Sequence, residues 1–168
     1  MSQLYRIRPI ASGDDPQIAG LIRQVMPEFG ANGPGFAILD PEVDEMSAAY
    51  PGGRAQYLVI EKTDAPPGAS LHGGGGFAPL VGGDPDVCEL RKMYFVPELR
   101  GMGFGSALLR RLLEMARHEG FRACYLETLE GMTRARSLYE AHGFQPLTHP
   151  MGATGHFGCD RWYWLPLT

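Results

Sequence analysis

This 168-residue chain lacks several features that mark other classes of protein. It has three cysteines, Cys88, Cys124 and Cys159, and this odd, scattered set does not indicate a disulfide framework. No apolar run is long enough to cross a membrane, and the opening residues MSQLYRIRPI contain no signal-peptide core. We therefore expect a cytoplasmic protein with no membrane partner.

Basic clusters are also missing. The formal net charge is −4, and lysine and arginine form no long stripe. Arg110, Arg111 and Arg117 fall on one predicted helix beside Glu114 and Glu119, which is typical of an ordinary solvated face. We therefore expect no nucleic-acid partner. The acidic balance slightly favours a cationic small substrate.

Two common nucleotide-binding motifs are absent as well. The dinucleotide fingerprint needs G-x-G-x-x-G and an acidic residue about 20 positions further on, whereas Gly101, Gly103 and Gly105 form G-x-G-x-G. The chain contains no G-x-x-x-x-G-K-[ST], the loop that binds nucleoside triphosphates. The sequence therefore does not indicate a dinucleotide or a nucleoside triphosphate as a ligand.

What the chain does contain is a strand, a turn and a helix over residues 87–120. A strand-like run at 87–96 meets Pro97, a glycine-rich turn follows at 100–105, and an amphipathic helix opens at about Ser106. Alternate glycines let the backbone approach a ligand closely, and the helix N-terminus adds unsatisfied N–H donors. This combination predicts a cradle for a pyrophosphate. The alternative is a purely structural turn.

Two sequence motifs favour the pyrophosphate cradle over a purely structural turn. Arg100, Gly103 and Gly105 fill the pattern R/Q-x-x-G-x-G/A after a strand that ends near a proline. The segment 135–144, ARSLYEAHGF, matches A-x-x-L-Y-x-x-x-G-F. In this order and spacing the motifs resemble those of the GNAT acetyltransferases. The resemblance covers residues 87–144 well and the rest of the chain only in outline.

The order of the predicted elements indicates an α/β fold, with a mixed sheet flanked by helices in a single domain over residues 1–168. Strands are predicted at 4–10, 55–61, from about 71, 87–96, 121–129 and 160–167, and helices at 15–26, 43–49, 106–119 and 133–142. Four glycines at 73–76 indicate either close approach of a ligand or neighbouring backbone, or a flexible, irregular strand.

The resemblance also implies how the chain would bind acetyl-CoA. It implies that the strands at 87–96 and 123–128 are parallel and splayed, with the pantetheine arm between them. Backbone groups of Met93, Tyr94 and Phe95 would pair with that arm, and one of their N–H groups would face the thioester oxygen. Backbone N–H groups of the turn would hold the pyrophosphate; the turn residues are Arg100, Gly101, Met102, Gly103, Phe104, Gly105 and Ser106. The Arg100 side chain would add charge, and no metal is expected.

Three residues are candidates for proton transfer. Tyr139 matches the tyrosine of the family motif and is predicted to be the general acid, because a phenol with a pKa of about 10 stays protonated at neutral pH. Its alternative role is a core aromatic. Glu89 is the predicted general base, and Glu127 on the next strand is the second candidate. Glu89 could instead form a salt bridge with Arg91 or Lys92.

One position departs from the family pattern. Many relatives have an asparagine seven residues before the tyrosine, where it touches the cofactor, and this chain has Met132. Thr128 and Thr133 are the candidates to replace that contact.

Two weaker groups of residues have simpler explanations. Cys88 beside Glu89 suggests an acyl-cysteine, but a buried strand cysteine explains it better, because a catalytic thiol needs a base and a lowered pKa. His156, Cys159 and Asp160 sketch a metal site without the paired spacing of zinc ligands.

The predicted function is transfer of an acetyl group from acetyl-CoA to a primary amine of a small molecule, by direct attack in a ternary complex. The alternatives are a protein or peptide N-acetyltransferase, which needs an open acceptor groove, and a non-catalytic acyl-CoA-binding sensor domain. The acceptor amine is not specified. Relatives often dimerise, and Trp162, Tyr163 and Trp164 would serve either a homodimer interface or the core.

Overall fold

A computed structural model of the protein describes residues 4–168, so residues 1–3 of the predicted domain lie outside the described residues. A mixed sheet of seven strands has the order β1-β2-β3-β4-β5-β7-β6. The strands are β1 (Tyr5–Pro9), β2 (Gln56–Lys62), β3 (Gly73–Pro79), β4 (Val87–Phe95), β5 (Ala123–Thr128), β6 (Gln145–Leu147) and β7 (Arg161–Pro166). Only β4 and β5 pair in parallel; the other neighbouring strands of this sheet are antiparallel.

Helices cover both faces of the sheet, which confirms the predicted α/β architecture. The α-helices are α1 (Asp15–Val25), α2 (Met46–Ala49), α3 (Phe104–His118) and α4 (Thr133–Ala141). Because side chains alternate along a strand, Leu58 and Ile60 of β2 pack in the cluster that contains α3, whereas Tyr57 and Val59 pack in the cluster that contains α1. Single-turn 3₁₀ helices occur at Ser12–Asp14, Met26–Phe29, Ala37–Leu39, Pro41–Asp44 and Pro97–Leu99.

The α3 helix follows its predicted pattern. Its inward positions are buried, namely Leu108, Leu109, Leu112, Leu113 and Ala116. It begins at Phe104, two residues before the predicted start, because Gly103 takes the N-cap position with φ +87°. Gly120, with φ +87°, lies just past the end of the helix as predicted.

The glycines of β3 make room for neighbouring side chains and, as one of the predictions had it, for neighbouring backbone, since a Cβ on Gly76 would clash with the Gln56 carbonyl oxygen. A Cβ atom on Gly74 would lie 2.7 Å from the Tyr57 ring, and one on Gly73 would lie 2.7 Å from the Phe95 ring. A Cβ on Gly76 would also lie 2.6 Å from the Tyr57 ring. The strand is irregular as well, since its register with β4 shifts between Gly74 and Gly76.

The register shift reflects a bulge in β4. Gly74 pairs with Tyr94 and Gly76 with Arg91, so two residues of β4 lie opposite one residue of β3. Lys92 is one of them and has φ +49°, the only positive φ outside glycine among residues 4–168. The Tyr57 hydroxyl donates a hydrogen bond of 2.6 Å to the Lys92 carbonyl and holds this conformation.

The predicted splay of β4 and β5 is confirmed. Their parallel pairing ends at Glu89 opposite Tyr125, although β4 continues to Phe95 and β5 to Thr128. Beyond this pair the strands separate, and the sheet opens at the carboxyl ends of both strands. This opening positions the candidate site.

Two elements differ from the prediction. The α1 helix ends at Val25, one residue before its predicted end, and the chain continues through the 3₁₀ turn Met26–Phe29, which it leaves at Gly30 with φ +75°. The short strand β6 is not predicted, because it has three residues and contains Pro146, which favours an edge position. Across residues 4–168, no helix has the length and apolar character required to cross a bilayer.

Candidate functional site

The opening between β4 and β5 forms a cavity of about 750 Å³. Most of the residues predicted to bind acetyl-CoA line it: Met93, Tyr94, Phe95, Arg100, Gly101, Gly103, Gly105 and Ser106, together with Tyr139. Two predicted residues do not line it with their side chains. Met102 is exposed, and Phe104 is buried in the core beside α3.

The glycine turn presents backbone donors to this cavity. Gly101 and Gly103 have φ of +79° and +87°, which other residues rarely adopt. No side chain caps the start of α3, so the first N–H groups of the helix are left for a ligand. A Cβ atom on Gly105 would lie 3.1 Å from Leu138 Cδ2, so glycine allows α3 and α4 to approach closely here. Such a helix terminus suits an anion.

The charged side chains near this turn are arranged differently from the prediction. The Arg100 guanidinium donates to the Phe95 carbonyl at 2.8 Å and forms an ion pair of 2.8 Å with Glu28. Its charge is therefore already compensated. The exposed Arg134, on the first turn of α4, lines the cavity and lies against Gly101, where an added Cβ would meet its Nη1 at 3.4 Å. No sequence argument above identifies Arg134.

Tyr139 lies on α4 with its side chain against both the core and the cavity. Its ring packs on Phe144 and Tyr163, with centroid distances of 5.8 Å and 6.1 Å. Within residues 4–168 its hydroxyl has no hydrogen-bond partner. Burial raises the pKa of Tyr139, so the phenol is protonated at neutral pH. The side chain therefore packs in the core as an aromatic residue and also lines the cavity, where a general acid would have to lie.

A second, smaller cavity of about 60 Å³ lies beside the β4 bulge. Its charged lining comes from Glu89, Arg91, Lys92, Glu127 and His156. Its apolar lining includes Met26, Phe36, Ala37, Leu90 and Leu129. Tyr94 and Met132 line both cavities, so the two spaces lie on either side of these side chains.

Glu89 is almost completely buried, with 4% of its side chain exposed. Its Oε1 accepts a hydrogen bond of 2.7 Å from Arg91 Nε, which is the predicted salt bridge with Arg91. Its Oε2 has no partner within residues 4–168. Burial raises the pKa of Glu89, and the nearby Arg91 charge opposes that rise.

Glu127 has more partners than Glu89. It accepts hydrogen bonds of 2.8 Å from Tyr125 Oη and 2.5 Å from Thr154 Oγ1, and His156 Nδ1 lies 3.5 Å away. Burial raises the pKa of Glu127, but hydrogen bonds from His156, Thr154 and Tyr125 outweigh this effect, so the pKa is lowered overall. Both oxygens of this carboxylate are therefore occupied.

His156 joins this site to the loop before α2. Its Nε2 lies 2.9 Å from Asp40 Oδ1, and its hydrogen bonds to Asp40 and Glu127 raise its pKa to about 9. Asp40 Oδ2 also accepts from Lys92 Nζ at 2.7 Å, and Lys92 contacts Glu42 too. These residues come from four distant segments, around positions 40, 92, 127 and 156, so no sequence pattern links them.

The weaker sequence candidates are separated. Asp160 accepts a hydrogen bond of 2.9 Å from the Glu130 backbone N–H, so it does not join His156 and Cys159 in a cluster. Burial raises the pKa of Cys159 to about 12. Cys88 is fully buried and lines neither cavity, which contradicts an acyl-cysteine role.

Three other side chains are spaced as the ligands of a metal ion would be. Ligand atoms of Glu89, Glu127 and His156 all lie within 4.8 Å of one another. Each of the three already has a partner in the protein. Glu89 contacts Arg91, Glu127 contacts Tyr125 and Thr154, and His156 contacts Asp40.

Met132 precedes α4 at the junction of the two cavities. Thr128 Oγ1 donates to its sulfur at 3.5 Å, and Thr133 lines the larger cavity. Of the two threonines, only Thr133 is placed to reach a ligand there. Among the C-terminal aromatics, Tyr163 is buried in the core, whereas Trp162 and Trp164 are half-buried against the cluster around Tyr125.

Comparisons with known proteins agree with this architecture. Residues 25–144 match the model of the Acetyltransferase (GNAT) family. The chain is 40% identical over 155 residues to the uncharacterized N-acetyltransferase YjgM of Escherichia coli (strain K12), covering 92% of this chain and 90% of that protein.

Solved structures show the same fold. A GNAT-family acetyltransferase from Staphylococcus aureus Mu50 superposes with a TM-score of 0.80 at 17% identity, covering 98% of this chain and 99% of that one. The putative acetyltransferase yncA from Salmonella typhimurium, solved with its cofactor acetyl-CoA, has a TM-score of 0.73 at 20% identity, covering 98% and 95%. The chain belongs to the GNAT family of N-acetyltransferases.

Proposed function

We propose that this protein transfers an acetyl group from acetyl-CoA to a primary amine of a small molecule in a ternary complex. The observation that carries the proposal is that two neighbouring cavities share Tyr94 and Met132 as lining residues. One has the size and backbone donors that suit a CoA thioester, and the other has carboxylates that suit an amine. The acetyl group and the amine would meet where the cavities join.

The larger cavity fits acetyl-CoA in three respects. The free N–H groups at the start of α3 suit its pyrophosphate, and Arg134 adds a positive charge beside them. The separated end of β4 leaves backbone groups of Met93, Tyr94 and Phe95 to pair with an extended pantetheine arm. One of those N–H groups would stabilise the charge that develops on the thioester oxygen.

Proton transfer is assigned to two residues. Glu89 takes the proton from the incoming ammonium, because its Oε2 is free and burial raises its pKa towards that of a useful base. The neutral amine nitrogen then attacks the thioester carbon, and the C–S bond breaks as the new C–N bond forms. The nitrogen loses its second proton to solvent, and Glu89 also releases the proton that it took. Tyr139 donates its phenolic proton to the departing thiolate and recovers a proton from solvent. Glu127 is the weaker base candidate, since its oxygens are occupied.

The walls of the smaller cavity favour a small acceptor over a protein. The Gly158 N–H donates to the Gly35 carbonyl at 3.0 Å, and Phe36 packs against Gly158 so closely that a Cβ there would clash at 2.5 Å. The segments that contain Phe36 and His156, two residues that line the cavity, are therefore packed against each other, which favours a small opening over an extended groove. The free hydroxyl of Tyr139 argues against a sensor that only binds the thioester.

The test is a mass-spectrometric screen of the protein with acetyl-CoA and pooled amines, alongside a calorimetric titration with acetyl-CoA alone. We expect acetyl-CoA to bind and at least one small amine to gain one acetyl group only when the protein is present. Binding without acetylation of any amine would favour the sensor. Acetylation of peptides alone would favour a protein or peptide acceptor.

A further inference from the structure

The smaller cavity carries information about the acceptor itself, and the inference drawn from it rests on the proposed function. We propose that the acceptor presents its amine as a protonated group at the end of an unbranched alkyl chain. In this arrangement the ammonium binds Glu89 Oε2, and the alkyl chain lies against the apolar wall formed by Met26, Phe36, Leu129 and Met132.

The first argument is the unpaired oxygen. Glu89 is 4% exposed and lines the cavity, yet only its Oε1 has a partner, Arg91. Oε2 is not among the buried atoms that lack a partner within residues 4–168, so it is accessible from the cavity and can accept a hydrogen bond from a ligand there. An alkylammonium has three N–H donors and would supply the missing hydrogen bond. Glu127 offers no comparable free oxygen, because Tyr125 and Thr154 already donate to it.

The second argument is the charge balance around the cavity. Three cationic side chains, Arg91, Lys92 and His156, line the cavity together with Glu89 and Glu127. Their ion-pair partners are these two carboxylates and those of Asp40 and Glu42, which do not line it. His156 is counted as a cation because Asp40 and Glu127 raise its pKa to about 9. One negative charge is left over, so a single ammonium completes the balance. A carboxylate next to the amine would upset it.

The third argument is size. At about 10–15 Å³ per water-sized occupant, the cavity of about 60 Å³ holds roughly four to six non-hydrogen atoms. This is enough for an ammonium and a few methylenes, and too little for a ring. The rest of a longer acceptor would lie outside the cavity, so selection acts on its amine-bearing end.

The test measures kcat/KM for matched amines with the wild-type protein. Butylamine is compared with cyclohexylmethylamine, which keeps the same CH₂–NH₂ group on a wide ring. Butylamine is also compared with norvaline, which is butylamine with a carboxylate on the carbon that bears the nitrogen. We expect the first member of each pair to be at least tenfold better. Equal values, or a preference for the ring or the carboxylate, would overturn the inference.

A variant provides an independent check. Ala37 lines the small cavity, and Ala37→Leu should fill it, lowering kcat/KM for butylamine at least fivefold while leaving the Kd for acetyl-CoA within twofold. Ala48→Leu, at an exposed position on α2, is the matched control and should change neither value. An unchanged kcat/KM in folded Ala37→Leu would contradict the placement of the alkyl chain. If that variant does not fold, the amine pairs decide the question alone.

Two further outcomes separate the possible errors. If acetyl-CoA binds and no amine in the panel is acetylated, the proposed function fails, and the acceptor class fails with it. If amines are acetylated in the opposite order of preference, only the acceptor class is wrong. If the purified wild-type protein contained stoichiometric zinc and the Glu89→Gln variant contained none, the acceptor proposal would be overturned. That result would show that Glu89, Glu127 and His156 hold a metal.

Discussion

The ammonium of Lys92 lies 2.7 Å from the carboxylate of Asp40, and its side chain is 1% exposed. Lys92 is also the residue with φ +49° in the β4 bulge. The ion pair therefore fastens the loop before α2 to the point where β4 changes register and begins to separate from β5. Because Asp40 also contacts His156, one carboxylate joins the bulge to the small cavity.

We expect Lys92→Met to lower the free energy of unfolding by about 2 kcal/mol, because it leaves the half-buried carboxylates of Asp40 and Glu42 without this cation. Methionine keeps the length of the side chain and the backbone strain, so the ion pair is what changes. Arg23→Met is the control, since the Arg23–Asp44 pair is largely exposed and should contribute much less. Equal losses in urea denaturation would contradict a special role for Lys92.

Tyr139→Phe should separate binding from turnover. Without the phenolic proton, we expect kcat to fall by about 100-fold or more, while the Kd for acetyl-CoA changes less than twofold. Tyr163→Phe is the matched control, because its hydroxyl contacts Arg136 and Glu140 rather than either cavity. Steady-state kinetics and calorimetry measure both quantities. Unchanged kcat in Tyr139→Phe would remove this residue from the mechanism.

Arg134→Gln should weaken acetyl-CoA binding by about fivefold, which corresponds to about 1 kcal/mol. The expected cause is loss of a positive charge beside the glycine turn, so the effect should shrink at high salt. Arg110→Gln, on the exposed face of α3, should leave the Kd unchanged at either salt concentration. A loss that does not depend on salt would point to a structural effect.

The stability of the protein should depend on pH through His156. Hydrogen bonds to Asp40 and Glu127 raise its pKa from 6.5 to about 9 in the folded state. The protonated form is thus favoured by folding, so this stabilisation is complete below about pH 6.5 and is lost as the pH rises through about 9. We expect this stabilisation to be about 3 kcal/mol. Solvent screens it little, because only 14% of the His156 side chain is exposed.

The measurement compares wild type with His156→Gln by urea denaturation at pH 6 and pH 9.5. The difference in unfolding free energy should be large at pH 6 and small at pH 9.5. His118→Gln, whose side chain is 88% exposed, should show no such trend. A difference that is the same at both pH values would contradict the charged state of His156.

The parts of the site that could be predicted are those encoded locally. The turn with Gly101, Gly103 and Gly105 and the motif around Tyr139 are each contiguous, and the structure brings them to one cavity. The apolar period of α3 likewise predicts its buried face. These features need only neighbouring residues and backbone geometry.

The rest depends on tertiary contacts between distant segments. Asp40, Lys92 and His156 meet only after the sheet has formed, so their spacing in the sequence carries no signal. The ion pair of Arg100 with Glu28 likewise could not be foreseen from the glycine motif. The positive φ of Lys92 is equally hidden, because lysine does not mark a bulge as glycine would.

The central claim is amine-dependent acetyl transfer at the junction of the two cavities. The most direct test counts the coenzyme A thiol released and the acetylated amine formed in the same sample, with butylamine or the best amine of the screen. We predict equal amounts of both products and only background thiol release without the amine. Thiol release that does not depend on the amine, or no release although acetyl-CoA binds, would contradict the account.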